Sequence, residues 1–311
     1  MKALITGGAG FIGSHIVDKL IEKGYSVAII DNLFSGKKKN INPRAKFYKV
    51  DIRDKRLEKI FEREKPGFVF HEAAQIDIRK SVEDPVFDAD VNILGTLNLL
   101  RNCVKYEIKK FIFASSGGAI YGEENVIPTP EDYSARPISP YGIAKLTAEQ
   151  YLYYYKQIFG LPYVALRYAN VYGPRQDPYG EAGVIAIFTK KLLNGDEVII
   201  NGDGRQTRDY VYVDDVVEAN VLALESRTIG SFNIGTGIET NVNELFHKLN
   251  KIIGTNVLEK YGPVKQGEQR RSCLDSSKIK KLGWQPSYNL NKGLKETVEW
   301  FKLSIRSVHA Y

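Results

Sequence analysis

The chain has 311 residues, of which 43% are hydrophobic and 26% charged; this balance excludes a disordered or fibrous polypeptide and allows one large α/β domain or two domains sharing an interface. No apolar run approaches the roughly 20 residues that span a bilayer, and the N-terminal MKALITGG is too short for a signal peptide, so a cytoplasmic protein with no membrane partner is expected. The net charge, 44 − 37 = +7, is spread along the chain in a way that suits a small phosphorylated ligand better than nucleic acid, and two cysteines (Cys103, Cys273) with four unclustered histidines predict reduced thiols and no metal site.

In chain order, the first 115 residues alternate short β-rich runs with helical stretches. The runs are KALIT (2–6), SVAIID (26–31), KFYKVD (46–51), GFVFHEA (67–73) and KFIFASS (110–116), with helices expected over 11–24, 54–64 and 84–107. Parallel strands need a crossover to connect them, so this alternation predicts βαβ units and a doubly wound parallel sheet of the Rossmann type. A helix over 141–159 and a strand over 162–171 follow, and from residue 172 the texture shifts to loops rich in Gly, Pro and charge. We therefore expect a dinucleotide-binding domain over 1–171, rejoined by a segment near 211–236, and a second, smaller α/β substrate-binding region over 172–210 and 237–311. A helix near 291–306 closes the chain.

TGGAGFIG, residues 6–13, directly follows the first strand and opens the first helix, with Gly7, Gly10 and Gly13 in Gly-x-x-Gly-x-x-Gly spacing. A tight turn, a backbone that can approach a pyrophosphate and a helix N-terminus that favours anions are then available together. Asp31 closes the second strand, where a carboxylate accepts hydrogen bonds from the adenosine ribose and repels a 2′-phosphate. The pattern predicts NAD rather than NADP.

Four tyrosines stand four residues before a lysine: Tyr106/Lys110, Tyr141/Lys145, Tyr261/Lys265 and Tyr288/Lys292. Position in the fold selects Tyr141/Lys145. Ligands of a doubly wound sheet lie beyond the carboxyl ends of the strands, where KFIFASS leaves Ser115 and Ser116, and Tyr141 and Lys145 share one face of the helix that follows. A nearby ammonium favours the phenolate, which would bring Tyr141 toward useful base strength.

TGGAGFIG, DNLFSG, ASSGGAIYG, SPYGIAK, LRYANVYGPRQ and TRDYVYVDDV together resemble the extended short-chain dehydrogenase/reductase family, and within it the UDP-glucose 4-epimerase branch, over nearly the whole chain. The resemblance implies that Tyr141 is the base, Lys145 its tuner, and Ser116 (or its neighbour Ser115) the second contact to the sugar. It implies cofactor contacts from Gly7, Gly10, Phe11, Ile12, Gly13, Asp31, Asn32, Asp51, Ile52, Ala73, Ala74, Asn92 and Tyr168, in addition to Tyr141 and Lys145. For a UDP-sugar it implies Asn170, Arg208, Lys265, Glu268 and Arg270 near the diphosphate. The family's Arg-x-Gly-Asp is here Lys265-Gln-Gly-Glu268. Ser272 stands where some epimerases carry a bulky tyrosine, which implies room for an N-acetyl group.

The implied activity is 4-epimerisation through a transient 4-keto sugar, with NAD regenerated, in a homodimer built on the helices near 84–107 and 141–159. The rival dehydratases and decarboxylases carry acidic residues just after the catalytic serine or threonine. This chain has Gly117-Gly118-Ala119 there, which supply no acid or base.

Overall fold

The structure is a computed structural model and describes residues 1–179, 183–264 and 269–308, without the side chains of 306–308. Strands β1 (Lys2–Thr6), β2 (Ser26–Asp31), β3 (Lys46–Lys49), β4 (Phe68–His71), β5 (Lys110–Ser116) and β6 (Tyr163–Tyr168) alternate with helices α1 (Phe11–Glu22), α2 (Leu57–Glu64), α3 (Ile78–Glu83), α4 (Pro85–Ala89), α5 (Gly95–Lys105), α6 (Gly117–Ile120) and α7 (Pro140–Phe159). The remainder runs β7 (Asn170–Tyr172), α8 (Val184–Asn194), β8 (Ile199–Asn201), β9 (Thr207–Tyr212), α9 (Val213–Glu225), β10 (Gly230–Ile234), β11 (Glu239–Asn241), α10 (Val242–Ile253), β12 (Lys260–Gly262), β13 (Arg271–Ser272), α11 (Ser277–Lys280) and α12 (Leu290–Val308).

Seven strands form one parallel sheet in the order β10-β6-β5-β4-β1-β2-β3. Helices cover both faces, which is why the central strands read as continuous apolar runs rather than alternating ones. One face packs Ile5, Val17 and Leu20 with Val216 and Ala219 of α9, and the other packs Leu4, Val69 and Phe113 with Leu99, Ala148 and Leu152. The strand order reverses between β1 and β4, so a crevice opens beyond their carboxyl ends at that switch point. A smaller sheet, β11-β9-β13 with β7 also paired to β9, lies alongside α8, α10 and α12. The helices here contain no segment long and apolar enough to cross a membrane, among the described residues.

Two expected elements are divided. The helix expected over 84–107 is replaced by α4, a π-helical turn at Asp90–Leu94, and α5, with α3 ending just before. Pro85 cannot continue α3, and Asp84 caps α4 by accepting the Phe87 N–H at 2.9 Å. The strand expected over 162–171 divides at Ala169. β6 stays in the large sheet between β5 and β10, whereas β7 pairs with β9.

Helix α7 determines much of the site. Ser139 caps it by accepting the Gly142 N–H, Pro140 takes its first turn, and Gly160 ends it with φ of 71°, a left-handed conformation that costs glycine little. Tyr141, Lys145 and Glu149 follow at four-residue spacing along one face. Buried Glu149 accepts from Ser115 Oγ (2.5 Å), from Arg167 Nη2 (2.7 Å) and from Ser231 Oγ (2.8 Å), which ties the helix to β5, β6 and β10.

Breaking a buried pair leaves an uncompensated charge and typically costs about 3–5 kcal/mol. Arg167 and Glu149 are 10% and 4% exposed in their side chains. Arg167→Leu is therefore expected to lower stability by about that amount in urea unfolding, whereas Arg167→Leu combined with Glu149→Leu should recover a substantial part of it.

Candidate functional site

At the β1–α1 junction the glycines are required by close approach. A Cβ on Gly7, whose φ is 69°, would stand 2.7 Å from the Ala73 nitrogen, and one on Gly13 would stand 2.3 Å from the Gly7 oxygen. The turn therefore folds onto itself and onto the peptide that leaves β4. The N-terminus of α1 has no acidic residue in its first turn and no side-chain cap, so its amides face the crevice without a competing protein anion. Phe11 and Ile12 of this turn line the cleft described below.

Asp31 is held at the edge of the same turn. Its Oδ2 accepts the Ala9 N–H at 3.0 Å and its Oδ1 the Leu33 N–H at 2.8 Å. Asn32 Nδ2 donates to Asp51 Oδ2 at 2.8 Å, and hydrogen bonding from Arg53 holds the Asp51 carboxyl far below the usual carboxylate range. Ile52 is buried against Gly95. Beneath the turn, Ala73 donates its N–H to Thr6 Oγ1 at 3.3 Å, with Ala74 next to it. Asn92 is buried in the π-helical turn between α4 and α5. Its amide donates to Gln75 O and Asp88 Oδ1 and accepts the Gln75 N–H, so it shapes the loop after β4.

A cleft of about 340 Å³ brings together Phe11, Ile12, Ser116, Tyr141, Tyr168 and Asn170. The structure thus selects Tyr141/Lys145 from the four similar pairs. Lys110 is buried with its ammonium on Ala223 O, Lys292 lies over the Tyr288 ring, and Lys265 falls outside the described residues. It also separates the two serines. Ser115 is committed to Glu149, whereas the Ser116 hydroxyl shares a hydrogen bond with the Tyr141 phenol.

The electrostatics differ from the simple expectation of an ammonium lowering a phenol. Lys145 donates to Ala114 O at 2.7 Å, and its Nζ lies 5.7 Å from the centre of the Tyr141 ring. Burial pushes the Tyr141 phenol above its ordinary value; the charge on Asp88 adds to this, the Ser116 hydrogen bond offsets part, and Glu72 adds again. Burial brings Lys145 down to about 8, opposed by Glu72, Asp88 and Glu149. Desolvation therefore outweighs the single charge partner in this protein.

On the substrate side, Asn170 sits on β7, and Arg208 and Ser272 are paired across β9 and β13. Ser272 is buried and donates to Glu124 Oε1 at 3.3 Å. Asp203 and Asp209, the carboxylates nearest Arg208 in sequence, are engaged elsewhere. Asp203 makes a two-pronged pair with Arg270 at 2.9 Å, and Asp209 accepts from Thr236 and from the Gly237 amide. Lys265 and Glu268 lie outside the described residues.

A doubly wound sheet with a glycine turn at its switch point and a Ser-Tyr-Lys set at its strand tips is the architecture of a short-chain dehydrogenase/reductase. The pattern that defines the NAD dependent epimerase/dehydratase family matches residues 3–235, and the chain belongs to that family. Its cofactor is NAD, which the glycine cradle and the fixed Asp31 carboxylate fit. The UDP-glucose 4-epimerase of Thermotoga maritima, solved with UDP-glucose, is 56% identical with a TM-score of 0.97 over 98% of this chain and 100% of that one. The UDP-glucose 4-epimerase of Mycolicibacterium smegmatis is 43% identical over 97% of this chain and 99% of its own. A UDP-N-acetylglucosamine 4-epimerase from Methanobrevibacter ruminantium, solved with UDP-N-acetylmuramic acid, is 39% identical with a TM-score of 0.93, covering 97% of this chain and 98% of that one.

Sequence reasoning passed over Glu149, Arg167, Asp88 and Glu72. Glu149 was legible as the next step of the Tyr141/Lys145 helix face, and Glu72 as a carboxylate closing an apolar strand. The Asp31 geometry generates a direct check. Hydrogen bonds to a charged acceptor contribute about 1.5–3 kcal/mol, so Asp31→Asn should weaken NAD binding by about tenfold or more in titration calorimetry while narrowing the preference over NADP.

Proposed function

We propose that the protein is an NAD-dependent UDP-glucose/UDP-galactose 4-epimerase that also accepts UDP-N-acetylglucosamine. The observation that carries this reading is the meeting of Ser116, Tyr141 and Lys145 beside the cleft, with Gly117-Gly118-Ala119 directly after the serine. Dehydration or decarboxylation would call for a further acid or base at that position. Epimerisation needs only the one proton and one hydride that leave C4 and its hydroxyl and then return, with no further acid or base.

In this reading Tyr141 Oη takes the proton of the sugar 4-hydroxyl and later gives it back, and Ser116 Oγ holds the same hydroxyl oxygen while bonded to Tyr141. The Lys145 ammonium offsets the charge that develops on the phenol. Held by the glycine turn and Asp31, NAD would supply the hydride acceptor for oxidation of C4 to a transient ketone and the hydride donor for its reduction from the other face, with no net redox change. Asn170 and Arg208 anchor the diphosphate as the pivot, for which the rigid donor fork of arginine is well suited, while the Arg270 fork is taken up by Asp203. By the family resemblance Ser272 stands on the side of the sugar's C2 substituent, where a small residue is easier to reconcile with an N-acetyl group than a tyrosine is. A cytoplasmic setting is supported by two buried free thiols.

The test is proton NMR of the purified protein with UDP-galactose and no added nicotinamide cofactor. UDP-glucose should appear, and Tyr141→Phe should slow it by about 10²–10⁴-fold, the usual reach of a general base. Persistence of UDP-galactose with intact bound NAD would reject the substrate assignment. In a parallel sample UDP-N-acetylglucosamine should be converted, and Ser272→Tyr should suppress that conversion far more than the conversion of UDP-galactose.

A homodimer is also proposed, packed on α5 and α7 with the turn between α4 and α5. The support is an outward apolar row: Leu94, Ile143, Tyr153, Tyr154 and Ile158 are all exposed. Light scattering should give twice the chain mass of 35.1 kDa; Leu94→Asp should shift it toward one chain.

A further inference from the structure

Glu72 is the first residue past the end of β4, at the switch point of the sheet. The glycine turn presses on its main chain, since a Cβ on Gly7 would lie 2.8 Å from the Glu72 carbonyl carbon. Its N–H is committed to Thr6 O at 3.2 Å. Glu72 is half-buried as a residue, and its carboxyl meets Tyr168 Oη at 3.3 Å. Asn220 Nδ2 donates to that same phenol oxygen at 2.8 Å, which leaves the Tyr168 hydroxyl hydrogen to be given to Glu72 Oε1. Tyr168, itself held by Asn220 of α9, therefore fixes where this carboxylate sits.

Register then sets what it faces. His71 on β4 pairs with Phe113 on β5, so one residue further on Glu72 lies beside Ala114, on strands about 4.8 Å apart. Ala114 O is the acceptor of the Lys145 ammonium, which also lies 4.8 Å from the centre of the Phe113 ring. We propose that Glu72 is a positioning residue for the Tyr141–Lys145 pair, supplying the buried negative charge that keeps the Lys145 ammonium protonated through neutral pH. The inference deepens the epimerase reading and rests on it for the role of Lys145.

The surroundings agree with this. Charged and titratable groups reach the spot from four elements: Lys145, Tyr141 and the deeper Glu149 from α7, Asp88 from α4, Tyr168 from β6 and His71 from β4 itself. Burial raises the Glu72 carboxyl to about 7, with Lys145 and the Tyr168 hydrogen bond opposing it. The same burial drives His71 down to about 3, so that imidazole is neutral and contributes no charge. Burial thus brings the two groups toward each other near neutral pH, where the Glu72 carboxylate and the Lys145 ammonium each favour the other's charged form. Removing the carboxylate takes away the largest of the three charges that hold Lys145 up.

The test compares wild-type holoenzyme with Glu72→Gln, which keeps a hydrogen-bond acceptor for Tyr168 and deletes the charge. In the pH profile of kcat/KM, which reports the enzyme before substrate binds, the alkaline limb should move toward acid by about one unit. Glu72→Asp should restore part of that displacement. A uniform loss of activity with an unmoved limb, or movement toward alkali, overturns the proposal and leaves Glu72 a structural residue.

A second readout does not use activity. A carboxyl whose folded pKa is raised contributes stability below its unfolded pKa and loses it as pH rises through the folded one. The Tm of wild type relative to Glu72→Gln should therefore fall between about pH 4.5 and 8. Parallel Tm curves overturn the charge assignment even if the protein does not epimerise UDP-galactose, and that separates failure here from failure of the epimerase reading.

Discussion

The functional geometry depends on how α7 is seated, and one buried carboxylate seats it. Glu149 receives Ser115 from β5, Arg167 from β6 and Ser231 from β10, so both of its oxygens are satisfied by three strands at once. An ion buried this deeply is tolerated only with such complete hydrogen bonding. Because Lys145 and Tyr141 lie one and two turns earlier on the same face, fixing Glu149 fixes the angle at which they meet the strand tips. The same bond network takes Ser115 out of play and leaves Ser116 for Tyr141.

A second constraint is steric. The glycine turn approaches the peptide after β4 closely enough that a methyl group at Gly7 or Gly13 would collide with main-chain atoms. This closeness brings the cofactor crevice and the catalytic helix to one place: the peptide under the turn belongs to Glu72 and Ala73, and one strand over lies the carbonyl that holds Lys145. The glycine turn and the Tyr141/Lys145 pair are thus brought side by side by a single strand crossing.

The price of that compactness is desolvation. Tyr141, Tyr168, Lys145, His71 and Glu72 are all shifted first by burial and only second by one another. A lone tyrosine–lysine pair does not describe such a site. Its charges act as a set, with Asp88 and Glu72 both opposing the loss of charge at Lys145.

The sequence by itself determined the sheet, the glycine turn and its closing aspartate, and the Tyr141/Lys145 pair. Each of these is a local pattern: apolar runs separated by helical stretches, glycines at fixed offsets, and two residues four apart on a helix. It also carried the family resemblance, because those motifs recur in order along the chain. Only the tertiary structure decided that Ser116 rather than Ser115 meets Tyr141, that Asn92 bonds to Gln75 and Asp88, that Arg270 pairs with Asp203, and that the helix expected over 84–107 breaks. The serine choice and the Arg270 pair depend on partners 34 and 67 residues away, which no window of sequence contains, whereas the break in the helix and the Asn92 bonds turn on nearby groups whose packing the sequence pattern alone does not rank. Glu72 illustrates the difference: in the sequence it is one carboxylate after an apolar strand, and its neighbours Lys145, Tyr168 and Gly7 come to it only through the parallel register of the sheet.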